Sequence, residues 1–251
     1  MREGDVLLLE NLRFHPGEEQ NDPSFAQQLA RLADMYVNDA FGTAHRAHAS
    51  TEGITKFVSA AVAGLLMQAE LKHLRQLLAM PERPCIAILG GAKVSDKIGL
   101  IQHLLSKLDQ LLIGGGMAYT FLKARGVAVG NSLVEAEKLD AAREILAKAK
   151  SLGVTIRLPG DHVIAQRLEA STPAQVVSRE GIPIGWIGVD IGPQTVEAFA
   201  NAPCDAKTVV SNGPLGVLAV EPSSEGTKAI ALAVAASQAT ASVGGAIRWP
   251  P

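Results

Sequence analysis

Two lysines four residues apart, Lys93 and Lys97, follow the apolar run Cys85–Leu89 and the pair Gly90-Gly91. An apolar run that ends in glycine and opens into a helix is how an open α/β sheet offers backbone N–H groups to phosphate. Glycine lets the main chain come close to a ligand, and the helix N-terminus adds partial positive charge. The pattern predicts a helix over 95–108, and the i, i+4 spacing predicts Lys93 and Lys97 on one of its faces. Two ammonium groups beside such an anion nest suit a transferring phosphoryl group, where charge stabilisation is most of the catalysis. The same residues also fit a plain strand–helix turn with two solvated lysines, and spacing alone leaves the two readings level. The stretch is not a Walker A loop, because no Gly-Lys-Ser/Thr closes it.

Further polar groups cluster just past other apolar runs. Arg13 follows the run Val6–Glu10, and Arg46 follows Met35–Val37 within a loop that also holds Asn38, Asp39, His45 and His48. Arginine grips carboxylate or phosphate through a two-pronged fork, although arginines at the surface are the commoner case. His15, His45 and His48 would add positive charge if near, but they lack metal spacing with a carboxylate and read as polar loop histidines. Asp96 and Asp190 either serve a metal-bound phosphate or cap local backbone. Gln110–Ile113 runs into Gly114-Gly115-Gly116, and Thr208–Val210 runs into Asn212-Gly213-Pro214, so two more strand ends present glycine where a ligand and backbone could meet.

The elements that must position these groups alternate. Strands are expected at 6–10, 35–37, 85–89, 110–113, 154–158 and 208–210. Helices are expected at 22–33, 64–80, 95–108, 117–123, 135–150, 195–200 and 226–239. Asp22-Pro23 is a helix start, with Asp as N-cap and Pro at the first helical position. The stretch 182–192 reads as turn-rich. This alternation predicts an α/β fold with a parallel sheet flanked by helices. The helix over 64–80 is the natural joint between a short first block and a longer second one.

Bulk properties narrow the function classes. Across 251 residues, 47% hydrophobic and 19% charged content describe a globular chain, and 4% aromatic content makes its core aliphatic. A net charge of −2 without a basic block argues against nucleic acid or an anionic membrane as main partner. Cys85 and Cys204 make neither a metal spacing nor a disulfide framework. No apolar run reaches membrane-spanning length, and the charged opening residues are unlike a signal peptide. A soluble, cytoplasmic setting is the expectation.

Taken together, the segments resemble the phosphoglycerate kinase family from about Val6 to Gly245. The carrying motifs are Leu-Leu-Glu-Asn-Leu-Arg-Phe-His-Pro (8–16), the stretch Tyr36–Ser50, Leu-Gly-Gly-Ala-Lys-Val-Ser-Asp-Lys-Ile (89–98), Gly-Gly-Gly-Met-Ala (114–118), Gly185–Pro193 and Asn-Gly-Pro-Leu-Gly-Val (212–217). Their shared order is far more specific than any one of them. The resemblance implies a three-layer, Rossmann-like, parallel-sheet fold in two domains, and a hinge-closing monomeric kinase of glycolysis. It would move phosphate reversibly between 1,3-bisphosphoglycerate with Mg-ADP and 3-phosphoglycerate with Mg-ATP. On this resemblance Lys93 and Lys97 are catalytic, Arg13 and Arg46 bind the triose phosphate, and Lys97, Gly115, Gly116, Gly188, Asn212 and Pro214 bind nucleotide. Asp96 is expected to position one of the two lysines. Residues 1–63 would be the second part of the triose-phosphate domain, 64–80 the interdomain helix, and 81–251 the nucleotide domain.

Departures from the family pattern accompany the match. Segments that precede Val6 in the family, with an Asp-Phe-Asn motif and further basic residues, have no counterpart here. Ala219 stands where the family has a ribose-binding glutamate, and Ser211 where it has Trp. Ala246 follows Gly245 where the family continues Gly-Asp-Ser/Thr, whose aspartate serves the metal nucleotide, so no metal ligand is assigned. The first domain is therefore expected to be incomplete and the second truncated. The alternative reading is an inactive nucleotide-binding remnant or gene fragment.

Overall fold

The computed structural model describes residues 2–169, 172–178, 181–217 and 223–244, without the side chains of 73, 74 and 76–79. The expectations for Ala219 and for 245–251 fall outside these residues. Internal packing divides the chain into two units, Met1–Arg75 and Gln76–Pro251.

The first unit holds α1 (Pro16–Glu19), α2 (Pro23–Ala30), β1 (Met35–Asn38), β2 (Ala60–Ala63) and the start of α3 (Leu65–Ala79). The predicted cap is present, with the Asp22 carboxylate accepting from Phe25 N–H at 2.7 Å and Pro23 opening α2. β1 and β2 pair in parallel as a two-stranded sheet. A small cluster of Leu29, Ala30 and Ile54 packs under α2. The expected strand over 6–10 does not form; Val6 and Leu8 are 96% and 93% exposed. A strand needs a neighbour for its backbone groups, and among the described residues β1 and β2 pair only with each other. Asp39, expected among ligand groups, instead caps α3, its carboxylate accepting from Met67 N–H at 2.9 Å.

The second unit is built on a five-stranded parallel sheet in the order β10-β9-β3-β4-β5. Its strands are β3 (Cys85–Leu89), β4 (Gln110–Ile113), β5 (Thr155–Arg157), β9 (Thr208–Asn212) and β10 (Thr240–Gly244). Every β3 residue is buried, as a central strand covered on both faces requires. Cys85, Ala87 and Leu89 face a core with residues of α4 (Ile98–Leu104), α5 (Met117–Ala124) and α6 (Leu139–Ser151). Ile86 and Ile88 face the opposite core, with Phe199 of α7 (Pro193–Ala200) and Ile230 and Val234 of α8 (Glu225–Ala236). The three layers follow from this alternation.

The second unit departs from the expected elements at two places. The stretch over 182–192 contains a strand, β8 (Ile187–Ile191), which with β6 (His162–Ala165) and β7 (Gln175–Val177) makes an antiparallel sheet in the order β7-β6-β8. Its short pieces are set by cross-strand pairing, which single-strand patterning hides. The helix expected from residue 95 starts at Ile98. The Glu135 carboxylate accepts from Ser95 N–H at 3.0 Å and from Ser95 Oγ at 2.6 Å, holding that turn out of the helix.

Candidate active site

The order of the large sheet creates the crevice. From β3 the chain moves to one side, through β4 and β5, and later returns on the other side with β9 and β10. Where the winding changes direction, the loops leaving the carboxyl ends of β3, β4 and β9 open between them a place for a ligand.

Those three loops are stitched backbone to backbone. Gly90 N–H donates to Asn212 C=O at 3.0 Å and Gly91 N–H to Pro214 C=O at 2.8 Å. Gly115 N–H donates to Leu215 C=O at 2.9 Å and Met117 N–H to Gly91 C=O at 3.0 Å. Such close approach explains Gly115. Its φ is +66°, and a Cβ there would stand 2.7–2.8 Å from backbone atoms of Gly91 and Pro214. Gly188, on β8, leaves room for the Tyr119 hydroxyl, which an added Cβ would overlap.

Behind this seam lies a cavity of about 520 Å³, within the range of small-ligand sites, lined among others by Gly115, Gly116, Tyr119, Leu133, Gly188 and Pro214. Four predicted glycine and proline positions therefore share one wall. Its surface is mainly apolar, with Tyr119 buried and its phenol held well above the usual range by burial and by the charge of Asp190. An apolar slot next to a polar loop seam is suited to a flat ring carrying a charged tail.

Lys97 is the N-cap residue of α4 and its Nζ donates to the Asn212 side-chain oxygen. Two predicted residues far apart in sequence thus meet at the ends of β3 and β9. Burial holds the Lys97 ammonium below its ordinary range, against the opposing attraction of Asp96. Lys93 departs from expectation. It lies in the loop before α4, so the two lysines do not share a helical face. Lys93 is exposed, and its charge reaches Glu135. Burial alone would raise the Glu135 carboxyl, but bonds from Ser95 and Val94 together with Lys93 bring it below the usual range.

Arg13 and Arg46 lie in the first unit. Arg13 is exposed, with Nε 3.8 Å from Glu19, and Arg46 is also exposed. Their loops are joined by Glu18, which is 3% exposed. Its carboxylate accepts from Ser50 N–H at 3.0 Å and Ser50 Oγ at 2.5 Å, and lies 3.8 Å from His48 Nδ1. The histidine loop is thereby pinned by an acid that sequence inspection passed over.

Asp190 is not a loop residue. It sits in β8, 2% exposed, and accepts from Gly226 N–H at the start of α8 and from Ile191 N–H, both at 2.8 Å. Burial pushes its carboxyl up to about 6, against those two N–H bonds, with Glu225 adding to the rise. Val217 N–H donates to Val189 C=O at 3.0 Å beside it, tying the loop after β9 to β8. Tyr119 and Glu135 are site residues that the sequence reading missed. For Tyr119 a signal existed, since a tyrosine three residues beyond a glycine triplet is an aromatic placed on the helix after a strand-end loop.

Fold and crevice together define an open parallel α/β protein with a phosphate-type loop seam beside an apolar slot. The sequence profile described as phosphoglycerate kinase matches residues 1–247. The chain is 56% identical over 238 residues to the phosphoglycerate kinase of Trichodesmium erythraeum and 57% identical over 245 residues to that of Moorella thermoacetica, covering 95% and 98% of this chain. It spans about 60% of the length of these relatives, 60% and 62% respectively. The phosphoglycerate kinase structure from Coxiella burnetii superposes with a TM-score of 0.83 at 44% identity, over 94% of this chain and 60% of that one. The one from Pyrococcus horikoshii gives 0.83 at 30% identity, over 96% and 63%. The chain belongs to the phosphoglycerate kinase family.

Proposed function

We propose that this chain serves reversible phosphoryl transfer between 1,3-bisphosphoglycerate with Mg-ADP and 3-phosphoglycerate with Mg-ATP, the glycolytic reaction for which its family is named. The observation that carries the reading is the bond from Lys97 to Asn212 at the seam of three strand-end loops, beside an apolar slot. In this reading the adenine ring occupies the slot against Gly115, Gly116, Gly188 and Pro214. The phosphates run toward Lys97 and Asn212, and phosphate oxygens take over the Lys97 hydrogen bond. Lys93, exposed in the loop before α4, neutralises the transferring phosphoryl group, since phosphoryl transfer is catalysed chiefly by positioning and charge. Arg13 and Arg46 hold the triose phosphate group through guanidinium forks.

Magnesium arrives with the nucleotide as part of the substrate. Among the described residues there is no cluster of three or more His, Cys, Asp or Glu side chains placed to hold a metal. Residues 1–63 act as the triose-phosphate region, 64–80 as the joining helix and 81–251 as the nucleotide domain. The protein works as a cytoplasmic monomer. Among the described residues no helix is long and apolar enough to cross a membrane.

The test is calorimetric titration of Mg-ADP together with a coupled assay for ATP-dependent phosphorylation of 3-phosphoglycerate. Lys97→Ala is expected to weaken nucleotide binding by roughly 10- to 100-fold, as loss of a charge-assisted hydrogen bond to phosphate does. Unchanged affinity in that variant, or a wild-type chain that binds nucleotide without turnover, overturns the proposal.

A further inference from the structure

A second crevice lies between α7 and the edge strand β5. Its main chamber has a volume of about 660 Å³ and is bordered by Arg125, Arg157, Ser178, Gln194 and Phe199 among others. Arg125 also borders an adjoining chamber of about 370 Å³, together with His162. Arg157 also borders a chamber of about 340 Å³, together with Gln110. Arg125 and Arg157 both border the main chamber.

Sheet geometry explains why Arg157 is there. β5 is the edge of the large sheet, and Arg157 is in register with Leu112, which packs in the same core as Phe199. Paired residues of a parallel ladder share a face, so Arg157 stands on the α7 face, at the open end of that layer. Arg125 caps the C-terminus of α5, where the helix dipole favours a cation; Arg157 has no such local reason.

Neither guanidinium has an acidic partner among the described residues. Asp161, beside Gly160 of the main chamber, accepts from Gln194 N–H, Thr195 N–H and Thr195 Oγ instead. Two buried polar atoms on residues bordering the smaller chambers, His162 Nδ1 and Gln110 Oε1, also lack partners, and His162 is 2% exposed. Orphaned buried polar groups are uncommon and ask for a ligand or a water. Two cationic forks bordering one chamber match two phosphate groups carried by one small molecule.

We propose that this crevice is a second ligand site and that it binds a small bis-phosphorylated metabolite, one phosphate at Arg125 and the other at Arg157. Phosphate oxygens take the two forks.

The test is calorimetric titration of the full chain with a hexose 1,6-bisphosphate, with inorganic phosphate as the comparison. The bisphosphate is expected to bind saturably and at least about tenfold tighter than inorganic phosphate, because two forks act together. Arg125→Ser combined with Arg157→Ser should weaken it by about tenfold or more. Both side chains are exposed, so the melting temperature should hold; Arg157→Lys, which keeps charge but not the fork, should lose an intermediate amount. Lys97→Ala should leave this binding intact. Absence of binding, equal affinity for inorganic phosphate, full affinity in the double variant, or loss on Lys97→Ala overturns the proposal.

Discussion

The two units use similar apolar residues and reach different degrees of closure. In the second, β3 has both faces covered, and Ile86 and Ile88 are each 1% exposed. In the first, β1 pairs only with β2 among the described residues, and Met35, Val37, Val62 and the run Val6–Leu9 stay exposed. Runs of valine and leucine thus have opposite fates. A parallel strand is stable when neighbours satisfy its backbone and helices cover its faces; apolar composition alone supplies neither. The site divides in the same way. The glycine seam with Lys97 and Asn212 is held from all sides, whereas Arg13 and Arg46 project from loops pinned mainly through Glu18.

The contrast between the units is largest where burial is complete. Ile88→Ala removes a side chain from the closed core and should cost about 2–5 kcal/mol in urea unfolding of the second unit. A cost near zero would break the view that this unit owns a tightly packed core. Asp190 tests a buried charge in the same unit. Its folded-state carboxyl is raised from 3.8 to about 6, so the folded protein holds the proton more tightly than the unfolded chain. The stabilising contribution is therefore complete below about pH 4 and is lost as pH rises through about 6, on the order of 3 kcal/mol. Asp190→Asn cannot titrate there. The difference in unfolding free energy between wild type and variant should fall over that window, and a difference independent of pH would contradict the burial.

Smaller effects belong to the open unit. Asp22→Ala removes the cap of α2 and should cost about 1 kcal/mol, read as faster amide exchange in 23–30. Leu8→Ala should change stability by less than about 0.5 kcal/mol, because the side chain is already 93% exposed. A cost near that of Ile88→Ala would show that the exposed run is covered in solution and erase the contrast.

Much of this was legible in local chemistry. Cys85–Leu89 and Gln110–Ile113 form strands with the expected bounds, because short apolar runs stopped by proline or glycine have one good burial solution. Asp22-Pro23 opens its helix as capping chemistry requires. Lys97, Asn212 and the glycine triplet were found as candidates because each follows an apolar run. Less was legible where a residue's role depends on a distant partner. The start of α4 depends on Glu135, forty positions beyond Ser95, and that bond keeps Lys93 off the helix. β8 looked like a turn because its pairing with β6 is antiparallel and bulged near Val163. Asp190 looked like a loop cap and became a buried carboxylate through α8.

The sequence by itself determined the alternation of strand and helix, the loops that carry lysine, arginine and glycine, and the ordered motifs of the family. Local propensity, capping and apolar period act over a few residues and need no fold to be read. Only the tertiary structure decided that Lys97 meets Asn212 across more than a hundred residues, that Val6–Glu10 stays unpaired, and that Arg125 and Arg157 frame one crevice. Those outcomes depend on which strand ends up beside which, and strand order arises from the whole chain's packing.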